Sequence, residues 1–239
     1  MEKPKKGSVD QSGKYIGAIP VDGARRKVLT ADEARKELLK NLKLEPMGEG
    51  KFRLGMVVLD KKRRTVSFPV KVNMDHDAVE YVLVTEQGKA HESIYTTTVT
   101  PTQIHLACVL LGMKQLASKD WPENISEIPA AQRVKVEVTW PTNGPPKRIA
   151  LSQFIVKSTS GGAVTEGLLL PKGDWLYNGS YFSGGVFCAE REGSIIAIIG
   201  DHAALLNGLR VGHKDDEIHV PNKAILPAKG RRLTMVFSL

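Results

Sequence analysis

The sequence predicts an α+β fold: a mostly antiparallel, twisted β-sheet with one buried helix, about residues 101–116, packed on it. Two observations predict it. Short runs rich in Val, Ile, Leu and Thr recur between turns made of Gly, Pro and charged residues. One longer run, Ile104 to Met113, is apolar nearly all round, as in a helix covered on most faces. With 239 residues, 41% apolar and 25% charged, the chain buries a core without disulfide or metal staples. The expected organisation is a flexible basic arm over 1–28 and one globular unit over 29–239. A junction between two subdomains over 118–148 is the alternative.

Element by element, the signals are local. Thr30-Ala31-Asp32-Glu33 fits a capping box, and Ala34, Leu38, Leu39 and Leu42 follow at near-helical spacing, predicting a helix over 30–42. Strands are expected over Phe52–Leu59 and Thr65–Val72, joined by the polar turn 60–64. Pro69 assigns the second to a sheet edge or a bulge. Val79–Thr85 and Ala90–Thr97 flank Glu86-Gln87-Gly88-Lys89, which reads as a tight hairpin with Gly88 at positive φ. Thr100-Pro101-Thr102-Gln103 is a second helix start, with Thr as N-cap and Pro at the first helical position. Beyond it, 118–148 is rich in Pro and turn residues around a strand at Val134–Trp140. The remainder is mostly β, including Ile149–Val156, Trp175–Tyr181, Val186–Ala189, Ile195–Ile199 and Leu233–Phe237.

The formal charge of +8 is unevenly spread. Residues 1–27 carry seven Lys and Arg against three acids. Lys61-Lys62-Arg63-Arg64 and Lys229-Gly230-Arg231-Arg232 mark turns entering strands, and such runs read as solvated faces. A nucleic-acid groove interleaves aromatics with its charges. Only 6% of this chain is aromatic, none of it inside the clusters, which argues against nucleic acid as partner. Cys108 and Cys188 read as two buried free thiols, with a single disulfide as the alternative. No apolar run approaches the roughly 18 residues of a membrane span, and the N-terminus lacks the apolar segment of a secretory signal. A cytoplasmic protein, or a mature chain that has lost its signal, is expected.

The polar constellations carry the candidate chemistry. In the hairpin register, Glu92 faces Leu83 on an apolar side, while His91 and Ser93 project to the other. Strict alternation denies His91, Glu92 and Ser93 a direct local pairing, so a catalytic triad read from that tripeptide fails on geometry. A carboxylate on an apolar face needs a partner, and His105 on the following helix is the nearest candidate. Such a Glu92–His105 pair acts as structural glue or as an acid/base site in a pocket. A metal version recruits His76 or Asp75, without a recognised ligand spacing. Asp215, Asp216 and Glu217, near His219, are a weak candidate cation loop, and Asp201-His202 adds to that polar region. Trp175, Tyr177, Asn178 and Tyr181 are either a binding surface or a strand packing its aromatic face inward.

Leu83-Val84, Gly88-Lys89-Ala90-His91-Glu92-Ser93, Thr96, Pro101, His105 and Leu110-Leu111-Gly112 together resemble the YdjY-domain proteins of bacteria. Val58-Leu59-Asp60 and Arg64 to Pro69 resemble that domain's entry; Trp175–Ser180 and Asp215–Asn222 are similar to its longer planctomycete-type members. The resemblance implies a cell-envelope or periplasmic location, since such proteins often carry export or lipoprotein signals. It transfers no catalytic residue and no cofactor. The function expected is therefore a non-catalytic binding module with an unidentified ligand or protein partner. The rivals are a hydrolase-like or metal-dependent enzyme using Glu92 and His105, and an anionic-polymer binder using the basic arm and turns.

Overall fold

Residues 8–9, 15–16, 43–117, 120–158, 168–210, 212–215 and 218–239 are described by a computed structural model. The helix expected over 30–42, most of the basic arm, and Asp216 and Glu217 lie outside the described residues.

Eight strands define the architecture: β1 (Thr65–Val72), β2 (Tyr81–Thr85), β3 (Ser93–Thr97), β4 (Arg133–Trp140), β5 (Trp175–Tyr177), β6 (Ser194–Ala197), β7 (Leu206–Asn207) and β8 (Arg232–Ser238). They pair in the order β4–β5–β7–β6–β2–β3–β1–β8, and β8 returns to β4. The ring is closed. The expected twisted sheet with a helix as its second layer is thus corrected to a mostly β fold built on an eight-strand barrel. The reason is β8: its outward register, Arg232 to Ser238 against Lys71 to Thr65, and its register with β4 join both ends of what would otherwise be an open sheet. A barrel of eight strands has an interior that side chains alone can fill. Phe68, Leu83, Ile94, Tyr95, Trp175, Tyr177 and Phe237, all from barrel strands, are among the largest fully buried side chains. Phe68 and Phe237 meet edge to face at 5.2 Å.

Two pairs in the ring are parallel, β2 with β3 and β6 with β7. The first overturns the hairpin expected at Gln87-Gly88. Every residue of β2 and β3 is buried, a pattern suited to strands covered on both faces rather than to a half-exposed hairpin. After Thr85 the chain runs back along the outside. Glu86 N–H donates to Thr97 O at one end, Glu80 N–H to Glu92 O at the other, and a 3₁₀ turn at Ala90–Glu92 feeds β3. Gly88 is required for close approach, not for positive φ: a Cβ there would lie 3.1 Å from the carbonyl oxygens of Glu192 and Gly193.

Helix α1 (Pro101–Leu110) starts as expected. Thr100 Oγ1 accepts from Gln103 N at 3.3 Å, and Glu190 adds a carboxylate on Thr102 N at 3.0 Å. It ends earlier than expected, before Gly112 at φ +94°, and Leu110 is exposed. The helix packs on Val57–Asp60, on β1, and on the short helix α2 (Cys188–Glu192). The predicted strand 52–59 is broken at Gly55, φ +60°, into Lys51–Leu54 and Val57–Asp60, with the Gln103 side chain pressed on the turn. These two strands and Leu44–Gly48 form a meander flanking β1. Lys147–Ala150 pairs with β4, so Pro141, Pro145 and Pro146 lie in a hairpin connection. Ile155–Lys157, Leu168–Leu169 and His219–Pro221 make a separate three-stranded sheet. Cys108 and Cys188 are free and buried.

Candidate functional site

The return 86–92 places Gly88 to Glu92 on the outside of the barrel wall, and two other segments meet it there. Tyr81 projects from β2, and its hydroxyl donates to Asp201 Oδ2 at 3.1 Å. Lys89 Nζ donates to the same hydroxyl at 3.2 Å and lies 5.0 Å from the Tyr81 ring centroid. Glu92 Oε1 is 3.4 Å and Glu80 Oε2 4.0 Å from that ammonium, and His91 Nε2 is 3.8 Å from Glu92 Oε2. The result is a partly exposed polar cluster around one fixed cation.

Asp201 is held from behind. Its N–H donates to Asn207 Oδ1 at 2.8 Å, and Asn207 Nδ2 donates to Asp201 O at 2.9 Å and to Asn178 Oδ1 at 2.8 Å. Asn178 Nδ2 in turn donates to Ala204 O at 2.9 Å and His202 O at 3.2 Å. Both asparagines are buried in the wall, so the 201–204 turn is fixed by amides that have no other partner to turn to. His202 packs on Trp121, with ring centroids 4.2 Å apart.

The electrostatics set fixed donors. Burial, reinforced by the Asp201 charge, pushes the Tyr81 phenol up to about 12. Burial works against the charged form of Lys89, but Tyr81 and Glu92 outweigh it, and its pKa is raised. At neutral pH Tyr81 stays a hydroxyl and Lys89 an ammonium.

The other expected groups separate. Glu92 pairs with Lys89 and His91 because residues 90–92 coil into a 3₁₀ turn instead of alternating in a strand. His105 is elsewhere: its Nδ1 is 2.8 Å from Tyr177 Oη, and its ring packs on Phe187 at 5.0 Å. The proposed Glu92–His105 pair does not form. Ser93 is buried and donates to Tyr95 O at 2.9 Å, a bond internal to the fold. Trp175, Tyr177 and Asn178 are buried in the wall, leaving only Tyr181, 45% exposed, of the expected aromatic surface. Asp75 Oδ1 and His76 Nδ1 lie 2.6 Å apart on the exposed surface. Among the described residues no three His, Cys, Asp or Glu side chains are grouped to hold a metal, Asp215 included. Tyr81 and Asn207 escaped the sequence reading. A tyrosine inside a run of Val and Leu was the available signal, because a buried phenol needs a hydroxyl partner.

His219 is buried, and burial together with Lys157 lowers its pKa below the ordinary 6.5; Asp215 opposes and His213 adds to the effect. An unfolded histidine takes a proton near pH 6.5 while His219 resists, so stability is lost as pH falls below that value. The slope from this group is bounded by one proton, about 1.4 kcal/mol per pH unit. Urea midpoints between pH 7.5 and 5 should fall more steeply in the parent than in His219→Phe; equal slopes would remove His219 from the acid response.

The class these features define is a mixed, closed eight-strand barrel with a polar cluster on an outer return loop. The family model for the YdjY domain matches residues 57–238. The chain belongs to the YdjY-domain family. The matched span begins on Val57–Asp60 and ends with the last residue of β8, so it coincides with the closed unit and its flanking strand. No curated protein and no solved structure matches. Among the described residues no helix is long and apolar enough to cross a membrane.

Proposed function

We propose that this domain is a non-catalytic binding module of the bacterial cell envelope, and that the 86–92 return with the Asp201 turn is its recognition face. One observation carries the reading: Lys89 is tied to Tyr81 and Glu92 as a fixed, exposed donor, and Tyr81 is tied to Asp201. A site whose donors keep their protons is suited to hydrogen-bonding a ligand. The envelope assignment rests on the resemblance to exported YdjY proteins.

The test is a titration of ¹⁵N-labelled protein with soluble peptidoglycan fragments and envelope polysaccharide oligomers. Shifts should concentrate in 86–92 and 200–204, and Lys89→Ala should abolish them. Glu92→Gln should weaken binding while changing stability by less than about 1 kcal/mol, since its ion pairs are partly exposed. Hydrolysis of ester, phosphoester or peptide surrogates by the parent, abolished in Glu92→Gln, would replace this reading with an enzyme.

A further inference from the structure

The wall of the barrel is split beside β1, and the split is a second candidate site, which shares only Glu86 with the return loop's recognition face. On one flank β1 pairs with β8 throughout. On the other, Thr65 to Ser67 pair with Val57–Asp60, while only Lys71 and Val72 pair with β3. Pro69 falls between these two stretches. It has no N–H to offer a neighbour, and its carbonyl accepts instead from Thr97 Oγ1 at 2.7 Å. Proline here does not place the strand at a sheet edge; it lets two neighbours diverge from one paired strand.

The gap is an open cleft of about 140 Å³, whose lining includes the apolar side chains of Met56 and Pro69 and the threonines Thr96, Thr97 and Thr98. Lys71, Glu86 and Arg232 complete the lining. Lys71 is neutralised by Glu86 at 2.7 Å, whereas the exposed Arg232 guanidinium has no ion-pair partner among the described residues. The cleft therefore carries one net positive charge. Thr96 is buried and its Oγ1 has no hydrogen-bond partner, a costly state for a hydroxyl. Rotation about χ1 exchanges the positions of its hydroxyl and methyl groups.

The geometry points to a binding site for a small monocarboxylate. Its carboxylate meets Arg232, whose planar fork suits two carboxylate oxygens. Its short apolar body lies on Met56 and Pro69, and an oxygen on that body satisfies Thr96. A cavity near 150 Å³ holds a benzene-sized guest, so the ligand has about six to eight non-hydrogen atoms. One net charge and an apolar wall favour such an acid over inorganic phosphate.

Butyrate, 3-hydroxybutyrate, butyramide and inorganic phosphate are the probes, titrated into the full chain and followed by amide shifts. The expected result is saturable shifts around 69–71, 96–98 and 232 for the two acids, and none for butyramide or phosphate. Arg232→Gln should weaken butyrate roughly 10-fold or more, while Lys229→Gln, which removes equal charge outside the lining, should leave it unchanged. Thr96→Val should fold with an equal or higher midpoint and lose the preference for 3-hydroxybutyrate over butyrate. Binding of butyramide as tight as butyrate, equal losses in the two charge variants, or no saturable shift at the cleft would each overturn the proposal. Loss of polysaccharide binding on Lys89→Ala with butyrate binding retained separates this site from the recognition face.

Discussion

Replacing Arg210 with alanine should remove about 3–5 kcal/mol of stability, the largest effect expected of any single side chain outside the barrel core. Arg210 is 3% exposed and acts as a forked clamp on the strap that precedes β5. Its Nε donates to Pro171 O at 2.8 Å and its Nη2 to Gly173 O at 2.9 Å, while the guanidinium lies 4.5 Å from the Trp175 ring centroid. Burial lowers its pKa to about 10, with Asp174 opposing, so it remains charged at neutral pH. Truncation strands two carbonyls at roughly 1–3 kcal/mol each and removes the cation from the indole face. Arg210→Lys should recover only a minor part, because one ammonium cannot reproduce a planar fork. Urea unfolding with a constant m-value measures both variants. A loss below about 1 kcal/mol for the alanine would show that the strap is held by its other contacts.

The second large effect is expected at Asn207, which is fully buried. Its amide joins the 201–204 turn to β5 through Asn178, and its removal leaves Asn178 Oδ1, Asp201 N and Asp201 O without their bonds. Asn207→Ala should lose about 3–4 kcal/mol on the same scale of unsatisfied buried groups. Asn178→Ala breaks an overlapping set, so the double variant should lose clearly less than the sum of the two. Strict additivity would mean that the two amides act separately. Because Asp201 is the acceptor for Tyr81, the Asn207 variant should also weaken any ligand that depends on Lys89, without touching a residue of the recognition face.

What was legible in the sequence was local. The Thr100 cap needs only four residues to declare itself, and it forms. β4 alternates buried Val134, Val136, Val138 and Trp140 with more exposed neighbours, a period-two pattern any reader of the chain finds. The inward packing of Trp175 and Tyr177 was one of the two readings their spacing allowed. Ring closure was not legible, since it depends on 65–72 meeting 232–238, a pairing no local pattern encodes. The parallel course of β2 and β3 was hidden for a related reason. Seven residues ordinarily make a hairpin, and parallel neighbours usually need a longer crossover. Here the return lies flat because Gly88 fits against Gly193, a residue about a hundred positions away. Everything predicted for Glu92 inherited that error: its face, its burial and its partner.

β8 lies C-terminal to every other strand of the ring, and β1 precedes them all. During synthesis β1 therefore waits, one whole flank unpaired, until nearly all of the domain has emerged. Vectorial folding from the N-terminus cannot finish this barrel; the final ladder is a late event, made after the last strand clears the ribosome. An unsatisfied strand edge invites pairing with another chain. Nascent chains on one message, or chains shortened before Arg232, share that edge and are predisposed to associate with each other. The same ladder that closes the ring makes its assembly dependent on protection until β8 has emerged.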